Sequence, residues 1–286
     1  MPLHWGRVLR RRFAPFVPER IKAPLRPRLF GYRPSGVVLP IEWLSDDRGR
    51  RALVGNRVTL RYRDEDAADF QYHFGDNGES IEEIASFMAL AESARTFFDV
   101  GAWKGLFSLM FCLLGDENRA VAYEPSPSGI DALAALAALN GCGSRIVPRQ
   151  VGVGLAAGRA SARIAPGGII TVDADRSNGD AIDDLHIVSL DEEARARNLV
   201  PDLLKIDVEG YEYEVLAGAR RLLREHKPAI CLELHLDLLE RRGRTARQVV
   251  AELETHGYRF RTCTGQELSA ANVCHSMHAV RRVVAV

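Results

Sequence analysis

The chain has 286 residues, 47% hydrophobic and 27% charged, a mixture that buries a large core and excludes disorder of the whole chain. Lys plus Arg and Asp plus Glu balance at 38 each, so no global field draws the protein to nucleic acid or to an anionic membrane. The length fits one α/β catalytic domain behind an N-terminal extension.

Residues 1–40 gather nine Lys/Arg against one acid, Glu19, together with seven prolines. The segment reads as a solvated extension, an arm for an anionic partner being the alternative. RVTLRY (57–62) and DFQYHF (69–74) read as short strands, and Ser80 with Glu83 forms a capping box before a helix over IEEIASFMALA (81–91). Residues 1–95 are therefore assigned to the extension and 96–286 to the catalytic domain.

From residue 96 short apolar runs alternate with segments of helical period, the pattern of a mostly parallel, doubly wound sheet with helices on both faces. Strands are predicted at FFDV (97–100), RAVAYE (119–124), RIVP (145–148), DLLKIDV (202–208) and AICLELH (229–235), then a closing pair at YRFRTC (258–263) and AVRRVVAV (279–286). Leu106, Leu109, Met110, Leu113 and Leu114 give the first helix its apolar face. Ser126 caps the second, with Pro127 at its first position and Gly141 at its end. A third helix is expected over 211–225, and a fourth behind a capping box of Thr245 and Gln248, ending at Gly257. The stretch between the third and fourth strands reads as loop-rich.

The five cysteines are odd in number and contain no C-x-x-C pair, which argues against a disulfide framework or a zinc site and for a reducing cytosol. No apolar run reaches the roughly 18 residues of a transmembrane helix, and no apolar leader follows the N-terminal arginines. A cytoplasmic protein without a transmembrane segment is expected.

In an open α/β sheet, ligands sit beyond the C-terminal strand ends. The first such end is DVGAWKG (99–105): Asp99, Gly101, Ala102, Trp103 and Gly105 form a glycine turn leading into a helix. It matches neither the dinucleotide nor the P-loop pattern, and Asp99 suits a cationic ligand better than a pyrophosphate. A Cβ at Gly101 is expected to project towards that ligand. The second end is AYEP (122–125), where Glu124, 23 residues after Gly101 and followed by Pro125, is placed to accept both hydroxyls of a ribose. A glycine turn plus a ribose acid implies an adenosine-type ligand. DADRSNGDAIDD (173–184) imitates a calcium loop at Asp173, Asp175 and Ser177, but Asn178 stands where Gly is needed and Asp184 where Glu is needed; it reads as a solvated loop.

The third end, LLKIDVEGYEYEVLAGA (203–219) followed by ICLELH (230–235), resembles the hallmark of the FkbM-type methyltransferases. Lys205, Asp207, Glu209, Gly210, Glu212, Leu216 and Gly218 match it, as do Leu190 and Asp191 upstream, the D-V-G-A turn and the E-P after the second strand. The resemblance covers residues 96–240 and implies a Rossmann-like sheet of seven strands with an antiparallel last strand. It also implies S-adenosylmethionine as methyl donor and a hydroxyl on a sugar, glycolipid or secondary metabolite as acceptor. Two positions depart from the family: Trp103 stands where Asn is usual, and VGVGLAAG (151–158) lacks a polar group for adenine, which is then expected to be held by backbone and apolar contacts.

A sulfonium donor is already activated, so the protein must align the nucleophile with the methyl group and remove the hydroxyl proton. Asp207, Glu209, Glu233 and His235 cluster at the ends of the fourth and fifth strands. His235 is the candidate base because an imidazole titrates near neutrality, with Asp207 or Glu233 orienting it or holding the acceptor. The same groups could hold a Mg²⁺-like ion instead, though no metal is assigned. The expected partner is a small-molecule or glycan acceptor. Nearby alternatives are an N- or C-methyl acceptor, or an inactive binding or scaffold protein, which Trp103 would favour.

Overall fold

The computed structural model describes residues 39–286 apart from 47–48, 75–77, 165–169, 173–179, 264 and 274–279. The basic extension over 1–38 and Asp173, Asp175, Ser177 and Asn178 of the calcium-like motif lie outside the described residues.

An antiparallel meander comes first: β1 (Ile41–Asp46), β2 (Gly49–Val54) and β3 (Val58–Tyr62). In β3, Val58, Leu60 and Tyr62 are buried and the residues between them exposed, the period of a one-faced strand. Next comes α1 (Ala67–Phe74), where a strand was expected. Phe70, Tyr72 and Phe74 alternate as strand residues do, but Phe70 and Phe74 are also four apart. They share a buried helical face, Phe70 stacked on Tyr62 at 5.0 Å, while Tyr72 is exposed. α2 (Gly78–Ala91) starts ahead of Ser80, so the capping box with Glu83 does not form and Ser80 Oγ has no hydrogen-bond partner. The described residues fall in one compact unit, so the elements from β1 onward that precede residue 96 belong to the same body as the sheet that follows. One seam is Asn140, whose amide accepts from the Arg61 N–H (2.8 Å) and donates to the Arg61 carbonyl (2.9 Å).

The central sheet is built from β4 (Thr96–Val100), α3 (Leu106–Leu114), β5 (Arg119–Tyr123), α4 (Pro127–Leu139) and β6 (Ile146–Arg149). A small sheet interrupts the chain with β7 (Gly152–Val153), β8 (Gly158–Ile164), β9 (Ile170–Val172) and β10 (Asp180–Val188), in the order β7-β10-β8-β9. This replaces the expected loop-rich stretch, and Asp184 of the calcium-like motif lies in β10, paired with Arg159. The signal was weak because β7 has two residues and a bulge between Ile182 and Leu185 breaks the alternation of β10. The chain returns through α5 (Leu190–Arg197), β11 (Leu203–Ile206), α6 (Glu212–Ala217), α7 (Arg220–Glu225) and β12 (Ala229–His235). It ends with α8 (Leu236–Arg241), α9 (Ala246–Thr255), β13 (Phe260–Thr262), β14 (Glu267–Leu268) and β15 (Val280–Ala285).

The strand order is β14-β13-β15-β12-β11-β4-β5-β6. β12, β11, β4, β5 and β6 are mutually parallel, and β15 runs antiparallel to β12, as expected of the last strand. The two-residue edge strand β14 makes eight strands where seven were expected. All four residues of β11 are buried, the mark of a central parallel strand covered on both faces. The helix expected over 211–225 breaks at Gly218, where a Cβ would lie 2.1 Å from the Gly154 carbonyl oxygen. Asp191 then caps α7 by accepting the N–H groups of Arg221 (2.9 Å) and Leu222 (2.8 Å). No helix among the described residues is long and apolar enough to cross a membrane.

Strand order reverses between β4 and β11, which makes a crevice beyond their C-terminal ends.

Candidate active site

On the β4 side the glycine turn is fixed by close approach. Gly101 has φ +81°, and a Cβ there would sit 1.7 Å from the Asp207 carbonyl oxygen, not in the space for a ligand. Its N–H and that of Ala102 both donate to the Tyr123 carbonyl at 3.0 Å. Gly105, with φ +80°, leaves room for the Leu133 side chain, which a Cβ would meet at 2.7 Å. Asp99 is buried and accepts from the N–H (3.1 Å) and hydroxyl (2.7 Å) of Ser108, and burial raises its pKa to about 6. Asp99, Ala102 and Gly105 thus shape the turn from behind and do not line the cavity it borders.

Trp103 does line it, and its backbone is left-handed at φ +47°. Asn, the residue the resemblance leads one to expect there, tolerates that conformation better than most residues with a Cβ; Trp costs roughly 1–2 kcal/mol there. The turn survives the exchange because the Trp103 N–H donates to Glu124 Oε2 at 2.8 Å. Glu124 Oε1 accepts the Ser126 N–H, also at 2.8 Å. Burial pushes the Glu124 carboxyl up to about 7. Each oxygen has the capacity to accept a second hydrogen bond, and Glu124 and Pro125 both line the cavity.

The β11 and β12 ends form a network of charges. Lys205 is buried, donates to Asp207 Oδ2 at 2.7 Å and lies over the Phe107 ring. Burial opposes the Asp207 charge, but Lys205 and then His235 outweigh it and hold the carboxyl down at about 2. His235 Nδ1 is 2.8 Å from Oε1 of the fully buried Glu212, while Nε2 is 3.4 Å from Glu209 Oε2 and 3.7 Å from Asp207 Oδ1. Burial opposes the imidazolium, yet the hydrogen bond to Glu212 and the charges of Asp207 and Glu209 raise its pKa to about 9. The expectation of a near-neutral imidazole is thereby corrected: three carboxylates keep the proton on His235 at pH 7.

Glu209 also has a left-handed backbone, φ +51°, and burial raises its carboxyl pKa. Gly210 follows at φ +93° and donates its N–H to Glu212 Oε1 at 3.1 Å. Glu233 is nearly buried and lines the same space. Asp207, Glu233 and His235 offer one ligand atom each within 4.8 Å of one another. They fit a divalent ion poorly, since Lys205 already neutralises Asp207 and His235 would have to shed its proton.

Both groups of residues open on one cavity of about 1010 Å³. Val151, Val153, Leu155, Leu185 and Ile187 give it an apolar wall, in line with the absence of polar groups in VGVGLAAG. Asp69, Tyr72 and His73 of α1 also line it, and a strand reading of DFQYHF hid them. Lys104 of the glycine turn ties that helix down through Asp66 (3.1 Å) and Asp69. Glu212 was visible only as a match to the hallmark; its place at the start of α6, three residues after Glu209 and facing a strand-end histidine, is the signal that could have given it a role.

The profile of the methyltransferase FkbM domain matches residues 99–260, more than half the chain. The chain belongs to the FkbM methyltransferase family. No curated protein matches it. Among solved structures, a methyltransferase FkbM from Methylobacillus flagellatus is 17% identical, with a TM-score of 0.43 over 68% of this chain and 44% of that one. The chain therefore spans less than half the length of that relative. An O-methyltransferase from Bacillus cereus, in complex with SAH, is 10% identical, with a TM-score of 0.42 over 78% of this chain and 90% of that one. TomG, an O-methyltransferase from Streptomyces achromogenes in complex with SAM, is 11% identical, with a TM-score of 0.41 over 79% and 91%. Within this FkbM-family chain the hallmark divides in two: Asp207, Glu209 and His235 converge on the cavity with Glu212 behind them, whereas Leu216 and Gly218 serve packing.

Proposed function

We propose that this FkbM-family methyltransferase methylates a hydroxyl of a small molecule or glycan, such as a sugar, glycolipid or secondary metabolite, using S-adenosylmethionine, with His235 as proton acceptor. The observation that carries the reading is the His235 ring: its Nδ1 is fixed by buried Glu212, while Nε2 stands between Glu209 and Asp207 on the cavity.

When bound, the donor supplies a methyl group already activated on a sulfonium. The chain fits such a ligand at Glu124, whose oxygens each keep an acceptor site for a ribose hydroxyl after taking one backbone N–H. Trp103, Gly101 and Pro125 border that position, and the apolar wall around Val153 suits adenine.

At the other end Glu212 selects the tautomer. In neutral His235 the Nδ1–H donates to Glu212, which leaves the Nε2 lone pair for the acceptor proton. The resulting imidazolium is stabilised by Glu212, Asp207 and Glu209. General-base help of this kind contributes about 10²- to 10⁴-fold. A cation entering the cavity competes for the same carboxylates and so favours neutral His235. No step calls on a metal.

Trp103 supports activity more than a scaffold role, because the turn keeps its N–H bond to Glu124. The four described cysteines are free and buried, which suits the cytosol.

The test has two stages. Calorimetry with S-adenosylmethionine should show binding to wild type and to His235→Ala alike. Labelled donor with a panel of hydroxylated acceptors should then transfer label with wild type and at least about 10²-fold more slowly with His235→Ala. Transfer to amines alone would replace the O-methyl reading, and donor binding with no transfer to any panel member would favour the scaffold reading.

A further inference from the structure

We propose that the acceptor carries an anionic group, a carboxylate or a phosphate, which Arg242, with Arg241 beside it, receives inside the cavity. The inference rests on the reading of this cavity as the site of methyl transfer.

The cations near the strand ends are already committed: Lys205 to Asp207 at 2.7 Å and His235 to Glu212 at 2.8 Å. The two arginines differ. α8 starts directly after His235, and its last residue, Arg241, and the next, Arg242, both line the cavity. Arg241 lies 3.6 Å from Asp237 and Arg242 lies 3.8 Å from Glu214, both beyond hydrogen-bonding distance. Glu214 Oε1 is instead hydrogen-bonded by Arg244 at 3.1 Å, so Arg242 shares that carboxylate as a loose ion pair and makes no hydrogen bond to it.

The setting of Arg242 prepares it for a planar anion. Its guanidinium carbon lies over the Tyr211 ring, 3.3 Å from the centroid, a cation–π contact that restrains the group. Only 29% of the side chain is exposed, against 75% for Arg241. An exposed arginine in a loose ion pair is ordinarily just solvated, and Arg241, beside Asp237, would alone be that. Arg242 is the stronger receptor, since a half-desolvated, restrained fork binds carboxylate or phosphate through two parallel bonds.

Arg242 follows α8 directly and α8 follows His235 directly, so receptor and proton acceptor border one cavity from the two ends of a six-residue helix. Uronic acids, sugar phosphates and hydroxy acids, which carry a hydroxyl and an anion on one small molecule, form the class.

Anion binding tests this on the full chain saturated with donor. Inorganic phosphate and malonate serve as probes, titrated by calorimetry at constant ionic strength. At least one should bind saturably, and the probe that binds tells phosphate from carboxylate. Arg242→Gln should weaken binding at least tenfold, Arg242→Lys should weaken it less by keeping charge without the fork, and Arg159→Gln, far along the chain in β8, should leave it unchanged. The donor titration of each variant reports whether the cavity is intact. No saturable binding of either anion, or equal binding by Arg242→Gln, overturns the proposal. Anion binding without any methyl transfer would instead strike the proposed reaction and leave this receptor standing.

Discussion

The two ends of the cavity are held rigid by different means. At the glycine turn the backbone does the holding: Gly101 is pressed against the Asp207 carbonyl, Trp103 is left-handed, and Glu124 is clamped by two peptide N–H groups at 2.8 Å. At the β11 and β12 ends, the side chains of Lys205, Asp207, Glu209, Glu212 and His235 hold one another by charge. A site fixed by backbone contact is insensitive to most side-chain changes but not to a single Cβ. A site fixed by charge tolerates small shifts of shape and responds to pH and to ligands. The proposed donor end and the proposed acceptor end should therefore fail in different ways.

The largest effect is expected at Gly101. Alanine there places its Cβ 1.7 Å from the backbone carbonyl oxygen of Asp207, and no side-chain rotation can move either atom away. Gly101→Ala should lose several kcal/mol or its cooperative transition in urea, an overpacking cost at the high end of the range. Gly243→Ala, with φ +69° but nothing within 4 Å of the new Cβ, should lose only about 1–2 kcal/mol for its left-handed backbone. Similar losses in the two would mean that the contact with Asp207 does not fix the turn.

The next effect is on turnover. His235→Ala should lose about 10²- to 10⁴-fold in kcat while donor affinity stays within about threefold of wild type. Glu212→Gln keeps an oxygen near Nδ1 but removes the charge, so its rise in rate with pH should move to lower pH as the His235 pKa falls from about 9. A mere packing role for Glu212 would lower activity equally at every pH.

Much of this arrangement was legible in the sequence, and the rest was hidden for physical reasons. The parallel strands β4, β5, β11 and β12 were readable because both faces are covered and apolar residues run on without alternation. Ser126, Ser189 and Thr245 cap helices, and the first and last of these stood out as local signals. DFQYHF misled because residues 70, 72 and 74 alternate while 70 and 74 also suit a helix, and only packing against Tyr62 decides between them. The small sheet escaped because β7 and β9 have only two and three residues and β10 is bulged. The strand-end acids were found by position, but position alone could not tell Asp99, turned back onto Ser108, from Asp207, which faces the cavity. Nor does sequence reveal that His235 is so crowded by carboxylates that its proton is retained.

A smaller effect sharpens the donor end. Glu124→Ala should weaken S-adenosylmethionine by about 2 kcal/mol, roughly 30-fold, if two hydroxyl bonds to a charged acceptor are lost. In wild type the affinity should rise as pH passes about 7, where the buried carboxyl ionises. Calorimetry at pH 6 and pH 8 checks both. Unchanged affinity in the variant would place the ribose elsewhere along the cavity.

The smallest effect joins the two ends through stability. His235 titrates at 6.5 when unfolded and about 9 when folded, so its stabilisation is complete below pH 6.5 and is lost as pH rises through 9, on the order of 3 kcal/mol at most. Glu124 rises from 4.5 to about 7 and Asp99 from 3.8 to about 6, so the folded state holds their protons longer, and stability drains away as pH climbs from about 4 to about 7. Asp207 acts the other way: lowered from 3.8 to about 2, it contributes stability above 3.8 that is lost as pH falls through 2. These groups together place the stability maximum near pH 4 to 5, with a decline towards pH 9. Catalysis should run in the opposite direction, because ionised Glu124 and neutral His235 are both alkaline forms. Urea midpoints measured between pH 4 and pH 9 in the absence of ligand should fall steadily, and in Glu212→Gln the fall above pH 6.5 should flatten. A wild-type curve flat over that upper range would mean that the carboxylates around His235 do not hold its proton, and the base would then be available at neutral pH without any ligand.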